Sequence, residues 1–537
     1  MSPEDLQYDV AIVGYGPGAQ CLAALLARAG RRVAAFERYP HMYNLPRAGH
    51  IDHETVRLVQ SVGNVQEFVK TLWEVRDDYV WINGQGQLLM LQPAHDAGES
   101  VSGWYSDYTQ WQPNLEHAFD EAARAGGAEI SLGWEAIGLE QDSNGVTLTV
   151  ARTKLQADGR PTTTAEQRVV RARYVVGADG ANSFVRATLN IDCEDIGSGE
   201  RWLDVDMATL RPLEFHPNIG QICDPARPRM LMPLGKSHRR FEWMVLPHES
   251  TAEMERPEIA WALLKEYGVT PENHQIARQI VYTFQARMAT RWRIGRTFLA
   301  GDAAHTMPPY AGQGLLSALR DASNLSWKLH LVLGGQAPDR ILETYESERR
   351  PHVSAWTQVA LAEGRVSCEL DPVRAAERDA RMIAGEKLEV PHAPSLGHGV
   401  FQAGRAGNNG IVGTLGLQAR VRTTSGTGRF DDLLGARQFS VLTTGAHPRE
   451  ILSAAQVARL EQLGAILVEV IPADRQPTAG AIVDIDGRYQ QYLAQHGVAA
   501  IVNRPDYYVF GAVAKLAQLP HLVEELETCL ARGAADV

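Results

Sequence analysis

Three short segments rich in glycine and aspartate hold the residues of this chain best suited to chemistry. The first, Gly14-Tyr15-Gly16-Pro17-Gly18-Ala19, follows the apolar run Asp9-Val10-Ala11-Ile12-Val13 and fits G-x-G-x-x-G/A. Gly14 allows a tight turn, and Gly16 lets the backbone approach a pyrophosphate. Gly18 continues the string, and Ala19 lets the next helix pack closely on the strand. The start of that helix offers unpaired N–H groups and a positive dipole end to phosphates. Glu37, about 20 residues on at the tip of the next strand, suits hydrogen bonds to a ribose diol. This is the chemistry of dinucleotide binding. It does not separate FAD from NAD, and a plain structural turn is its rival reading.

The second segment is Gly301-Asp302-Ala303-Ala304-His305, continuing as Met307-Pro308-Pro309-Tyr310-Ala311-Gly312-Gln313-Gly314. A buried strand ending in Gly-Asp presents a carboxylate at the carboxyl edge of a sheet, where open α/β sheets bind ligands. The Gly312–Gly314 turn opens a long helix, whose first N–H groups suit an electron-rich ligand edge. The rival reading makes Asp302 a helix cap and the glycines a loop. The third segment is Asp179-Gly180-Ala181-Asn182-Ser183 with Arg186 one turn on, which also reads as an N-cap with a surface arginine.

Positioning these segments requires a buried parallel sheet. Periodicity predicts strands over 9–13 and 32–36 around a helix at 20–29, a compact βαβ opening. Helices are expected over 53–63, 114–125, 314–333 and 341–364, with hairpins turning at Asn83-Gly84 and Asn144-Gly145. Strands are expected at 174–177 and 297–300, and strand-like segments predominate between about 190 and 290. The stretch 391–428 reads as linker and irregular structure. A small α/β pattern follows: strands at 439–443, 465–471, 498–502 and 507–510, and helices at 453–463 and 514–531. The fold class expected is α/β.

Composition narrows the function. The chain has 537 residues, 45% hydrophobic and 22% charged, which predicts about three domains and argues against bulk disorder. A net charge of -12 disfavours a nucleic-acid partner. No apolar run approaches the ~18 residues of a membrane span, and the acidic start of the chain is unlike a signal peptide, so a cytoplasmic location is expected. Five scattered cysteines (Cys21, Cys193, Cys223, Cys368 and Cys529) never form C-x-x-C, the wrong spacing for a disulfide framework, a zinc site or a dithiol centre. No metal site is expected. Neither H-E-x-x-H nor G-x-S-x-G occurs, and Gly235-Lys236-Ser237 lacks a phosphate loop's first glycine, Met230 standing there.

Together the three segments resemble the class A FAD-dependent aromatic hydroxylases (flavoprotein monooxygenases), which carry these motifs in this order. Further likeness lies in Pro46-Arg47-Ala48-Gly49, Ile51-Asp52, Gln112-Pro113, Cys223-Asp224-Pro225, Arg239-Arg240-Phe241-Glu242 and the run Arg320-Asp321-Ala322 with Asn324-Leu325 and Trp327-Lys328-Leu329. These look most like the 3-(3-hydroxyphenyl)propionate hydroxylase branch. The resemblance covers residues 8–360 well. It is weaker over the tail, which resembles a thioredoxin-like C-terminal domain. It implies a discontinuous Rossmann-like FAD-binding domain (1–80, 105–190 and 290–365) and a sheet-rich substrate domain (81–104 and 191–289). A linker (366–410) and a thioredoxin-like domain lacking C-x-x-C (411–537) would follow.

Carried over by position, the resemblance assigns Gly14, Gly16, Gly18, Ala19, Glu37 and Arg38 to the ADP half of a tightly but non-covalently bound FAD. Arg47 and Gln112 would contact the pyrophosphate and ribityl region, and Asp302 the ribityl chain. Pro309, Gly312, Gly314 and Leu315 would lie along the isoalloxazine, while Asp179 would serve both FAD and a transient NADH or NADPH. His50 departs from the family pattern, in which a small residue often stands beside the flavin. His305 reads as structural. No second glycine fingerprint exists for the nicotinamide, as expected of a co-substrate that visits and leaves.

The implied activity is NAD(P)H- and dioxygen-dependent hydroxylation of a small phenolic acid or alkylphenol through a flavin hydroperoxide. Hydroxylation of a polycyclic natural product and a catalytically silent FAD-binding protein are the alternatives. The halogenases that share the fold need a Trp-rich motif and a lysine not found here. The expected partners are the aromatic substrate, dioxygen and a second copy in a homodimer. A base near the phenol would favour its ionised form. Candidates are Tyr105, Asp107 and Tyr108 beside the Gln112 segment, and His216, His238 and Arg240 in the sheet-rich region, each of which also reads as a packing or surface group.

Overall fold

The strand Tyr8–Val13 is buried from Val10 onward, so both faces are covered, as in parallel sheets. It pairs in parallel with Val33–Glu37 on one side and with the end of Pro161–Gly177 on the other. Glu129–Leu132 extends the sheet beyond the former and Thr297–Leu299 beyond the latter, both in parallel. Parallel strands share one carboxyl edge. The chain therefore leaves Val13, Gly177 and Leu299 side by side, and the three motif turns meet there. Gly14 N–H donates to Phe36 O (2.8 Å), Ala178 N–H to Val13 O (2.8 Å) and Ala300 N–H to Gly177 O (2.9 Å). The computed structural model describes residues 7–63, 65–94, 99–197, 199–388, 395–404 and 410–532, so the acidic start and parts of 391–428 lie outside the described residues.

The expected helices appear as Pro17–Arg28, His53–Val62, Gln112–Ala125 and Gly314–Leu333. The first and third begin earlier than their apolar periodicity because Pro17 and Pro113 stand in the first turn, where a missing N–H costs nothing. The helices Pro17–Arg28 and Gly314–Leu333 cross closely: a Cβ on Gly18 would lie 3.1 Å from Ala318 Cβ. The string's last glycine thus packs helix on helix.

A second, seven-stranded sheet runs in the order His274–Thr283, Arg201–Thr209, His238–Met244, Arg229–Leu234, Gly220–Cys223, Tyr79–Asn83 and Leu88–Gln92. A three-stranded sheet joins His50–Asp52, Asp107–Thr109 and Trp73–Glu74 between these layers. The last seven-stranded sheet lies in the C-terminal part. Among the described residues, no helix is long and apolar enough to cross a membrane.

The expected linker needs correction. Within 366–410 the helix Pro372–Ile383 forms, capped by Asp371, which accepts from Val373 and Arg374 N–H. Arg378 docks it by donating to the carbonyls of Cys223 (2.8 Å) and Val366 (2.7 Å). Its apolar stripe is thin, with Val373 and Ile383 exposed, so periodicity gave a weak signal. The stretch 391–428 likewise contributes the strand Arg420–Thr423, paired with Gly426–Arg429 across a tight turn. The helix expected over 341–364 divides into a 3-10 turn, Asp339–Glu343, and the helix Thr344–Ser367, which holds Pro351.

Candidate active site

A cavity of about 870 Å³ opens at the shared carboxyl edge and runs towards the second sheet. Its first end is built from the motif turns. Gly14 has φ +91°, and a Cβ there would lie 2.5 Å from Ala178 O, so only glycine fits where these two strand ends meet. A Cβ on Gly16, by contrast, would meet nothing within 4 Å. The helix Pro17–Arg28 begins at Gly16 without a side-chain cap, and Gly314–Leu333 begins at Gln313 equally uncapped. Both helix starts, with Gly18, Ala19 and Leu315, line the cavity, so unpaired N–H groups face it. Asp302 turns its carboxylate into this space, and no hydrogen bond from the described residues reaches it. Burial raises the proton affinity of Asp302 while Arg47 works the other way. Arg47, stacked 4.3 Å over the Tyr43 ring, lines the same end.

The Gly301-Asp302 turn is held from behind. Asp321, wholly buried, accepts from Gly301 N–H (3.0 Å), His305 Nε2 (2.7 Å) and Arg349 Nε (2.9 Å). Burial opposes its charge, but His305 and Arg349 hold its carboxyl below the usual range. His305 is therefore a support for the turn, turned away from the cavity.

Between the Gly312 turn and the second sheet stands a pair that spacing did not reveal. His50 and Asp107 lie on adjacent antiparallel strands, His50 opposite Thr109, which makes them diagonal neighbours on one face. His50 Nε2 is 2.9 Å from Asp107 Oδ1, and both line the cavity. Burial lowers the imidazole's proton affinity, but the bond and charge of Asp107, with Asp52 and a backbone bond to Gly312, more than reverse this. Gly312 has φ +62°, and a Cβ there would come within 3.1 Å of His50 Nδ1. The neighbouring Gly49 packs against Leu234 and Met232 of the second sheet.

The far end is aromatic and apolar, with Tyr79, Trp81, Ile219, Met230, Tyr310 and Trp356 on its walls. Arg240 reaches the cavity but is fully engaged. It grips Asp206 through two bonds (2.7 and 3.0 Å) and donates to Arg47 O at 2.7 Å. Burial opposes its charge, yet Asp206 and Asp204 keep its pKa well above the ordinary value. It anchors the loop that carries Arg47.

Other expected residues are placed differently. Tyr105 donates to Val75 O (3.1 Å), Tyr108 accepts from Tyr105 N–H and is buried, and His238 stacks on Trp111. His216 is exposed. None of these four lines the cavity. Their positions follow from strand register and side-chain direction, which residue type alone does not reveal. Asp179 spends its carboxylate on Ser183 Oγ (2.5 Å) and Val185 N–H (3.1 Å), leaving its neighbours Ala178 and Gly180 on the cavity wall. Arg186 is no surface arginine: it ties the carbonyls of Ala181 and Ala303 together.

A family model described as "FAD binding domain" matches residues 7–360, and one described as "HcaD C-terminal domain" matches 413–529. A probable NADH-specific resorcinol 4-hydroxylase of Rhodococcus jostii (strain RHA1) is 36% identical over 97% of this chain and 95% of its own. A 3-(3-hydroxy-phenyl)propionate/3-hydroxycinnamic acid hydroxylase of Klebsiella pneumoniae (strain 342) is 32% identical over 96% of this chain and 94% of its own.

The chain belongs to the FAD-dependent aromatic hydroxylases.

Its fold is also that of aklavinone-11 hydroxylase crystallised with FAD and aklavinone, at a TM-score of 0.75 and 24% identity, covering 98% of this chain and all of that one. The residues of this hydroxylase suit FAD on their own terms. Open space before Gly16 and two uncapped helix starts match anionic and electron-rich groups. Arg47 matches a pyrophosphate, and the unpartnered carboxylate of Asp302 matches hydroxyls. Gln112 lines the cavity beside Arg47 and also holds the chain there. Its Oε1 accepts from Arg47 and Ala48 N–H (3.0 and 2.8 Å) and its Nε2 donates to Glu116 (2.6 Å), so it shapes the Arg47 loop. Pro309 and Gly314 flank the Gly312 turn on the cavity wall. Glu37 stands outside the enclosed space, its two oxygens accepting from Tyr15 and Tyr39 N–H, and Arg38 beside it is exposed.

Proposed function

We propose that this hydroxylase adds one oxygen atom of dioxygen to a one-ring phenol beside or opposite its hydroxyl, with NADH as the reductant. The carrying observation is a single cavity that joins an FAD-shaped cradle to an aromatic pocket, with His50 and Asp107 between them. The names of the two bacterial relatives support a phenolic substrate, and that of the Rhodococcus relative supports NADH. The chemistry supplied by bound FAD is acceptance of hydride from the nicotinamide and activation of dioxygen.

The protein supplies position and electrostatics. Asp302 would accept hydrogen bonds from the cofactor chain, the two helix starts and Arg47 would hold its anionic and electron-rich parts, and the apolar walls would keep water from the ring. His50, whose proton affinity Asp107 raises, would place positive charge beside a phenol oxygen that becomes anionic. The test is a panel of one-ring phenols. At least one should stimulate NADH consumption about tenfold or more and yield a product heavier by one oxygen atom. A panel in which no phenol does either would overturn the reading.

Asp107→Asn carries its own expectation. The substitution removes a negative charge that raises His50's proton affinity, leaving burial to lower it. Protonated His50 is then lost at lower pH. The alkaline limb of kcat/KM should move to lower pH, and activity on that limb should fall several-fold. A pH–rate profile between about pH 5.5 and 9 checks this.

We further infer that the C-terminal part is thioredoxin-like. Ile466–Ile471, Ser440–Thr443, Ala500–Asn503 and Val509–Val513 adjoin in that order, the first pair parallel and the others antiparallel. The helices Ala454–Gln462, Arg488–Gln495 and Leu519–Arg532 alternate with them. Cys529 is the one cysteine in this part of the sequence, so it offers no internal dithiol pair for exchange.

A further inference from the structure

Glu363 has no part in the cofactor cradle, yet it lines the cavity from the helix Thr344–Ser367. No hydrogen bond or ion pair among the described residues reaches its carboxyl group. Its setting is the aromatic end. The adjacent Gly364 packs against the Tyr310 ring, and Tyr79, whose hydroxyl feels Glu363's charge, lies on the same wall. Gln221 completes the group. It is 4% exposed and lines the cavity, its Nε2 donates to Tyr79 Oη at 3.0 Å, and its Oε1 has no partner. Whichever way the amide is turned, one polar end is left for a ligand.

The cations tell the complementary half. Arg47, Arg240 and Arg320 are the only Arg or Lys residues among the described residues that line this cavity. Arg240 is spent on Asp206, and Arg320 on Asp52, Glu54 and Gln313. Arg47 stands at the cofactor end, where Asp302 acts on it. A substrate carboxylate at the aromatic end would be stripped of water with no free arginine or lysine to meet it, beside another carboxyl group. Burial alone already pushes Glu363 up to about 8. A phenolic hydroxyl suits the site in either state, donating to the ionised acid or accepting from the protonated one.

We propose that Glu363, with Gln221, is the specificity-determining end of the ring pocket, selecting an uncharged phenol that bears a second hydroxyl over phenols that bear a carboxylate. This rests on the phenol-hydroxylase reading above and names which phenol that site takes.

The experiment compares kcat/KM for resorcinol, 3-methylphenol and 3-(3-hydroxyphenyl)propionate in the FAD-loaded full chain. Wild type should favour resorcinol over 3-methylphenol by at least about 100-fold, since a site built to bond a hydroxyl leaves its own buried polar groups unpaired when an analogue lacks it, and over the propionate by at least as much. Glu363→Leu should shrink the resorcinol-to-methylphenol ratio to about threefold, chiefly by raising KM for resorcinol. Glu363→Gln, which keeps a hydrogen-bonding end, should retain an intermediate ratio. FAD content and the unfolding midpoint of each variant serve as controls. Should the leucine variant fail to fold, the wild-type ranking and the glutamine variant decide. A wild type that prefers the propionate, or a Glu363 variant that slows resorcinol and methylphenol equally, overturns the inference while leaving the hydroxylase reading intact. If none of the three phenols is hydroxylated while another one-ring phenol is, the inference falls alone; if no phenol of the panel is, both fall.

Discussion

Asp321→Ala should yield a protein that is purified largely without FAD and is about 3–5 kcal/mol less stable than the parent. The carboxylate it removes is wholly buried and takes three donors at once: the backbone of Gly301, the ring of His305 and the guanidinium of Arg349. Deleting the anion leaves Arg349 in the interior without its counter-ion, which costs far more than the mutual attraction is worth. A second loss is geometric. Gly301 holds a left-handed backbone, φ +58°, and its N–H bond to Asp321 fixes the turn that aims Asp302 into the cavity. Asp321→Asn keeps the shape without the charge and should lose less of both stability and cofactor. Urea unfolding and the flavin-to-protein absorbance ratio after gel filtration measure the two effects separately. Unchanged values in Asp321→Ala would show that the turn holds itself.

Glu348→Ala should release the C-terminal part from the body of the molecule at a similar cost, about 3–5 kcal/mol. Glu348 lies on the helix Thr344–Ser367 with no exposed surface. It receives Arg504 through two bonds (3.0 and 2.8 Å), Lys328 (2.9 Å), Asn324 (2.7 Å) and Val400 N–H (2.8 Å). Asp506 shares Arg504 and also accepts from Trp327 and Asn324 at 3.1 Å. Removing Glu348 strands Lys328, which burial already pushes down to about 8.

The same group sets an acid limit. Burial opposes the charge of Glu348, but Arg504 and Lys328 outweigh it and bring its pKa down to about 2. A carboxyl depressed on folding contributes stability above its unfolded pKa and loses it as pH falls towards the folded value. On the order of 3 kcal/mol should therefore disappear between about pH 4.5 and 2 in the parent and not in the variant. Limited proteolysis around residue 400 and acid titration followed by tryptophan fluorescence would read these changes. Equal protease resistance in the two proteins would sink the docking argument.

That contact bears on the active site. Thr414, Leu415 and Tyr508 line the cavity, and the Tyr508 hydroxyl donates to Glu54 (3.2 Å), which in turn holds Arg320. The C-terminal part thus forms one wall of the cofactor cavity.

The cradle for FAD was legible because each of its turns is a local event. A left-handed Gly14, an uncapped helix after Gly16 and a carboxylate just past a buried strand each leave a mark within a few residues of sequence. Asp179 is less plainly a ligand residue: its type suits one, but Ser183 Oγ and Val185 N–H already bond to its carboxylate. The linker helix Pro372–Ile383 escaped notice because one arginine and a few apolar side chains suffice to dock it.

By itself, then, the sequence determined the α/β core, the dinucleotide turns, and the likeness that led to FAD and an aromatic ring. Tertiary structure alone decided which side chains share the cavity with that cradle. His50 joins Asp107 through the register of two short strands, and Glu363 comes to line one cavity with Gln221 and Tyr79 only when a late helix packs on the second sheet. The physical reason is range. Turns and caps act between neighbours in the chain, whereas a pocket is closed by side chains from distant strands and helices, whose spacing in sequence carries no record of their contact.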